Sequence, residues 1–555
     1  MSTHDQPAEQ IATVSPDQVV VRPGEAHDLP PTEAAVQVSL NERRAPPGGG
    51  HGRRRRRKVD VADANLLMTP VPDRSARWWP KGGRWSTMSL PGGCSDRQPT
   101  GSLALVLSGL LLAMLLAALD QTIMAPALPS IADDLGGLEQ MPAVVTAYLV
   151  AATVVMPMYG KLGDRFGRKP VMQAAIGAFV VGAVLCGLAA SMPQLIAFRA
   201  LQGVGGGGLM VGAQALIGEL VSPRDRGRYL GLVGAVYVFA AVGGPLLGGL
   251  LIDQLTWRWI FAIYPPLGVL ALAVLTCTLP QPPKPPARPP VDYAGALTLA
   301  IAVIGVVLLG QSGNPAFVVV TILGATAWLV TARHAADPIL PLHLFRDRAF
   351  AIPVAISFLI GFALLGTVTY LPALLQVALG ATATQAGLLV TTLLGGVLLT
   401  TVISGRRITR TGRYKPYPVA GTALAAVGLV LLATVAADSG ASVIGGVLLL
   451  IGLGVGFVLQ VMTLVTQNAV DYRDLGAATA SVTFLRQIGA STGVAVVGAL
   501  LTWRLADQVP TAVAFAEALP TMAGLMALLL VLAFALAVAL PARPLRTSGY
   551  LEERR

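Results

Sequence analysis

Fourteen long apolar stretches divide residues 103–540 of this 555-residue chain. A helix needs about 17–25 apolar residues to cross roughly 30 Å of hydrocarbon, and each stretch is long enough to do so. They fall near 103–124, 142–160, 170–190, 194–219, 229–251, 259–279, 293–311, 316–333, 350–376, 384–404, 416–436, 442–466, 478–502 and 512–540. Only 12% of the chain is charged, against about 25% in ordinary soluble proteins. A soluble core of any size still needs a charged surface, so the pattern predicts an all-α polytopic membrane protein.

The loops give the orientation. Alternate loops carry Lys161, Arg165, Arg168 and Lys169, then Arg224, Arg226 and Arg228, then Lys284 and Arg288. Arg333, Arg346 and Arg348 follow, then the run from Arg406 to Lys415, and then Arg473. The intervening loops hold Asp133, Asp134, Glu139, Asp253, Asp438 and Asp507, with Arg258 and Arg504 as their cations. Cationic loops stay in the cytoplasm, so the alternation predicts a multi-pass plasma (inner) membrane protein with both termini cytoplasmic. The same bias accounts for the net charge of +11 without any nucleic-acid partner.

The chain also repeats itself. Gly160 to Pro170 and Gly405 to Pro416 both place glycines seven apart, follow them with Arg and Lys, and end on Pro. Arg224-Asp225-Arg226-Gly227 is echoed by Arg473-Asp474-Leu475-Gly476. The offsets, 245 and 249 residues, nearly hold register. Parallel repeats of this kind support alternating access, with the substrate site at their interface. The predicted organisation is a disordered cytoplasmic tail (1–102), a six-helix bundle (103–279), a Pro-rich linker (280–292), two inserted helices (293–333), a second six-helix bundle (350–540) and a cytoplasmic tail (541–555). The first tail is polar, rich in Pro, Gly and Arg, and too poor in apolar residues to fold.

These residues resemble the major facilitator superfamily, and within it the fourteen-helix drug:proton antiporter family of the EmrB/QacA type. The resemblance covers roughly residues 100–540. Gly160 to Pro170 is similar to the superfamily signature between helices 2 and 3, and Leu119-Asp120 with Ala127-Leu128-Pro129 to the signature of helix 1. Arg199-Ala-Leu-Gln202-Gly203 resembles the signature of helix 4, and Gly244-Pro245-Leu-Leu-Gly248-Gly249 that of the antiporter helix 5. Ala240 stands where that last motif usually has its first glycine, and Tyr264 where the helix 6 pattern usually has asparagine. The resemblance implies proton-coupled efflux of drugs or other lipophilic or cationic small molecules.

Charges inside hydrocarbon cost roughly 2.5–3.5 kcal/mol on insertion scales, so they tend to be functional. Asp120 lies about 25 Å along helix 1 and Arg199 about 8 Å into the antiparallel helix 4, at 1.5 Å per residue. That depth match allows a pair, and we read Asp120 as the proton carrier tuned by Arg199. An ion pair that merely orients two helices is the other reading. Gly160, Asp164, Arg165, Gly167 and Arg168 are expected to latch one conformation, a carboxylate there favouring a helix N-terminus.

Gly244, Pro245, Gly248 and Gly249 suit a tight helix seam, because proline kinks a helix and small residues let backbones approach. Gln202, Gln214, Tyr370, Gln376, Gln460 and Arg486 are candidate cavity residues. Nothing resembles a Walker lysine motif, a metal cluster or a catalytic triad, so no enzyme activity, cofactor or metal is expected. The expected partners are a small-molecule substrate, protons and the bilayer, with a monomeric chain. A dedicated exporter of one lipid or secreted metabolite on the same fold stays open, as does a non-transporting sensor.

Overall fold

The computed structural model describes residues 103–279, 292–379, 383–434, 440–505 and 512–546. The predicted tail over 1–102 and nearly all of the linker lie outside them. Among the described residues, fourteen helices are long and apolar enough to cross a membrane. They are α1 (Leu103–Ile123), α2 (Met141–Phe166), α3 (Arg168–Gly187), α4 (Met192–Leu220), α5 (Pro223–Gln254), α6 (Arg258–Thr278) and α7 (Tyr293–Ser312). The second half has α8 (Ala316–His334), α9 (Arg348–Leu379), α10 (Ala383–Thr411), α11 (Pro416–Ala433), α12 (Ala441–Asn468), α13 (Leu475–Leu505) and α14 (Ala512–Ala539). A backbone in lipid must satisfy its own hydrogen bonds, which is why apolar runs of this length become continuous helices.

The helix ends correct several sequence expectations. The basic motif after helix 2 is not a loop: Gly160 to Phe166 continue α2, and the chain turns within one residue at Gly167, whose φ is 90°. Only glycine adopts that conformation readily. Its repeat partner behaves alike, with residues 405–411 inside α10 and Gly412 at φ 70° after it. Polar residues here extend helices past the hydrocarbon instead of interrupting them. Arg224 to Gly227 likewise form the first turns of α5, capped by Ser222, whose hydroxyl accepts from the Asp225 amide.

Helix pairing repeats between the halves. In the first, α2 and α3 pack on α4, α1 packs on α5 and α6, and α3 on α6. In the second, α10 and α11 pack on α12, α9 packs on α13 and α14, and α11 on α14. Each relation recurs eight helices later. The halves meet by exchange of the same two positions, α2 against α13 and α5 against α10. Helices α7 and α8 pair with each other, and α7 lies against α2 and α13, beside the seam.

The seam is tightest toward the face bearing the basic residues. A Cβ on Gly160 would stand 2.5 Å from the Ala480 Cβ and 2.6 Å from the Gly476 carbonyl. Gly218 approaches Gln467, and Gly227 approaches Gly405. Among the described residues, no glycine in the opposite half of either bundle meets the other bundle.

Residues 541–546 strap across the basic face. The Arg224 amide donates to the Arg546 carbonyl at 3.2 Å, the Asn468 side chain accepts from the Arg546 amide at 3.3 Å, and Arg543 pairs with Asp347 at 2.8 Å. The Tyr414 hydroxyl donates to the Pro541 carbonyl at 3.0 Å. Burial pushes that hydroxyl above its usual range, so it stays a donor. The predicted C-terminal tail therefore begins docked.

Candidate functional site

Asp120 is the eighteenth residue of α1 and Arg199 the eighth of α4. The antiparallel helices carry them to one level, where both are sealed, at 0% and 1% exposure. One guanidinium nitrogen, Arg199 Nη1, donates to both Asp120 oxygens, at 2.9 and 2.7 Å, and to Gln202 Oε1 at 2.8 Å. The Gln202 amide closes the triangle by donating to Asp120 Oδ1 at 3.0 Å. Gln202 thus does not line an open cavity here; it is fully buried and is the third member of the charge cluster. Gln202 stands three residues after Arg199, one turn along the same face, and that spacing was the available signal.

Aromatic rings wall the cluster. The Arg199 guanidinium lies 4.5 Å over the Tyr148 ring and 6.0 Å from Phe261. Tyr148 donates to the Ala117 carbonyl at 3.3 Å. Tyr264 packs edge-on against Phe179 at 5.3 Å. Its hydroxyl is buried with no hydrogen-bond partner among the described residues. The glycine run of α4 makes this enclosure possible: Gly203 and Gly206 face Tyr148, and Gly205 faces the Phe179 backbone, each where a Cβ would collide. Small residues permit such approach between membrane helices.

The Asp120 carboxylate has three donated hydrogen bonds, all to its charged form, and protonation would remove the charge that holds Arg199. A buried ion pair is weak support for stability, since desolvation offsets its attraction.

Asp164 sits on α2 at the basic face. Its oxygens accept from the Gly476 and Ala477 amides at 3.0 and 2.9 Å, the second and third residues of α13 in the other bundle. A carboxylate is favoured at a helix N-terminus. Arg168 pairs with Asp164 at 2.6 Å and with Glu219 at 2.7 Å, which ties α2, α3 and α4 to the same point. Gly160 lies beside it in the seam and Gly167 forms the corner, while Arg165 lies over the Phe166 ring. Lys161 pairs with Asp337 at 2.5 Å. Arg226 is fully buried, not solvated as a topological charge would be.

The helix 5 motif divides. Gly244 packs where a Cβ would strike Thr122, and a Cβ on Gly248 would lie 2.6 Å from the Ile123 carbonyl, so both lie against α1. Pro245 is exposed and nothing surrounds Gly249; these two are not part of a tight seam. At Ala240, where the motif departs from glycine, the carbonyl accepts from Thr122 at 2.7 Å.

The remaining candidates are scattered. Gln214 is sealed with both side-chain polar atoms unpaired, and Gln460 is 6% exposed with an unpaired Oε1. Tyr370 donates to the Val494 carbonyl on α13 at 3.2 Å. Gln376 is exposed near the end of α9. Arg486 is the twelfth residue of α13, deeper than expected because that helix starts at Leu475 instead of 478. On the face opposite the basic one, Asp134 pairs with Arg258 at 2.6 Å and accepts from Trp257 at 3.0 Å. Hydrogen bonds from Arg258 and then Trp257 hold the Asp134 carboxyl below the usual carboxylate range.

Residues 110–494 match the model of the Major Facilitator Superfamily. The chain belongs to that superfamily. It is 40% identical over 408 residues to an uncharacterized MFS-type transporter of Mycobacterium tuberculosis, covering 71% of this chain and 59% of that protein's length. It is 33% identical to the multidrug transporter protein MdtP of Bacillus subtilis, covering 72% of this chain and 75% of the relative. It is 31% identical to the efflux pump dotC of Dothistroma septosporum, with 72% of each covered.

The solved structure of the human organic anion transporter MFSD10 superposes with a TM-score of 0.59 at 16% identity, covering 79% of this chain and all of that one. The proton:xylose symporter XylE superposes at 0.56, also at 16% identity, covering 82% and 99%. These likenesses place the superfamily fold on the chain.

Proposed function

We propose that this protein is a secondary transporter that exports lipophilic small molecules in exchange for protons. Asp120 carries the proton and Arg199, with Gln202, sets its release. The observation that carries the reading is a carboxylate fully enclosed at membrane depth by Arg199, Gln202 and aromatic rings, between helices of one bundle. Relatives named for multidrug transport and efflux support the direction and the breadth of substrate.

The basic face is the cytoplasmic one by the positive-inside rule, with both termini on that side of the plasma membrane. The seam is then closed toward the cytoplasm, as in an outward-facing state, and Asp164 on the α13 N-terminus is the latch that holds it. Proton uptake loosens α1 from α4 and α6. The latch then releases and the two bundles rock about the seam. No catalytic chemistry, cofactor or metal enters this cycle.

The test is dye uptake by inverted vesicles containing the full chain. Uptake should follow an imposed acid-interior pH gradient and stop when an ionophore that exchanges protons for potassium collapses it. Uptake that persists without the gradient would overturn proton coupling.

A further inference from the structure

The two contacts that close the seam are related by the repeat but are not made alike. At the first, the Asp164 carboxylate of α2 accepts from the Gly476 and Ala477 amides of α13. At the second, α10 meets α5, and Thr409 stands where Asp164 does, four residues past the matching glycine, Gly405 for Gly160. The Thr409 hydroxyl accepts from the Arg228 amide at 3.2 Å, and Gly227-Arg228 match Gly476-Ala477 in the repeat. A neutral hydroxyl thus replaces a carboxylate. Hydrogen bonds to an ionised acceptor are roughly twice as strong as neutral ones, so the second contact is the weaker by its own side chains.

The segment after α14 reaches that same place. The Arg546 carbonyl accepts from the Arg224 amide, the second residue of α5, at 3.2 Å. Amides in the first turn of a helix have no partner within it, so a carbonyl from outside completes this one.

The segment is anchored in the second bundle. The Tyr414 hydroxyl, at the corner between α10 and α11, donates to the Pro541 carbonyl at 3.0 Å and accepts from the Arg543 amide at 2.7 Å. Arg543 forks onto both oxygens of Asp347, at 2.8 and 3.0 Å. Asn468, the last residue of α12, donates to the Pro544 carbonyl and accepts from the Arg546 amide, each at 3.3 Å. Leu545 is buried in the apolar core, and Pro541 and Pro544 fix their own φ and stiffen the path. A stiff segment held to one bundle at three side chains and ending on a helix of the other loses that last bond when the bundles part at this face.

We propose that residues 541–546 are a second latch, which clamps the second bundle to α5 and makes good the carboxylate that the α5–α10 contact lacks. Its place in the cycle rests on the reading above of the basic face as the cytoplasmic gate: the clamp holds the outward-facing state and releases on each turnover.

The experiment compares four proteins in lipid nanodiscs: the full chain, a chain ended after Leu540, a chain ended after Arg546, and full-length Asn468→Ala. Spin labels at exposed positions on the basic ends of α5 and α10 report their separation by pulsed electron resonance. Ending the chain after Leu540 should lower the ratio of short to long separations about 2- to 10-fold, the size of effect that one hydrogen bond gives. Asn468→Ala should shift it the same way, and it decides the matter where the shorter chain does not fold. Ending after Arg546 keeps the clamp and should leave the native distribution.

An unchanged distribution in Asn468→Ala overturns the proposal, as does an equal shift in the chain ended after Arg546. The expected shifts in a protein whose dye uptake ignores the proton gradient uphold the clamp and sink the export reading. Gradient-driven uptake without the shifts does the reverse.

Discussion

Arg199 reaches from α4 across to α1 and holds both carboxylate oxygens of Asp120 through one nitrogen, at 2.9 and 2.7 Å, in a pocket closed to solvent. The same nitrogen also donates to Gln202. Under the proposed function the cluster acts as the proton switch within the first bundle.

Breaking the pair from one side should be harsher than removing it. Arg199→Gln leaves a carboxylate buried without its cation, and such a loss costs about 3–5 kcal/mol. The double variant Asp120→Asn with Arg199→Gln removes both charges and should recover much of that stability. Thermal unfolding in detergent, followed by tryptophan fluorescence, gives the comparison. A double variant no more stable than Arg199→Gln would contradict the view that charge imbalance is the cause.

The two glycines of helix 5 that touch α1 should behave unlike their neighbour. Gly248→Ala places a Cβ against the Ile123 carbonyl, and overpacking of this kind costs about 1–3 kcal/mol. Gly249→Ala meets nothing within 4 Å. Transport and thermal stability should fall for the first and stay native for the second.

At the basic face, Asp164→Asn should weaken the hold on the α13 amides, and Gly160→Leu should force α2 and α13 apart. Spin labels on the basic ends of α2 and α13 would read this by pulsed electron resonance. Each variant should shift the distance distribution toward longer separations. An unchanged distribution in both would remove the latch from the mechanism.

The clasp on the opposite face carries a pH dependence of defined sign. Asp134 is held below its usual range in the folded chain, so its contribution is fully present above the unfolded carboxylate pKa, about 3.9. That contribution is lost only as pH falls through the lower folded value. Unfolding temperature should show no step from Asp134 between about pH 5 and 8, and Asp134→Asn should not alter the profile there.

Much of this was legible before any coordinates. Charges stand out in apolar stretches, so Asp120 and Arg199 announced themselves, and helix rise alone put them at one depth. Gln202 was misplaced because a neutral amide is cheap enough in a membrane helix to have several uses. The turn at Gly167 was read too long, since basic residues beyond the hydrocarbon look like loop whether or not the helix continues. Arg226 shows the same confusion in reverse: its place in a basic run hid that Tyr472 covers it, with the ring 5.9 Å away. Only packing shows that Arg486 has no ion pair or hydrogen bond among the described residues, because a sequence shows charges without saying which of them meet.

The central claim is that Asp120 carries the proton. Inverted vesicles holding an acid-interior gradient should lose it when a transported dye is added, and Asp120→Asn at matched expression should leave the gradient intact. Equal dissipation by both proteins would contradict the account and make the Asp120–Arg199 pair an anchor between two helices.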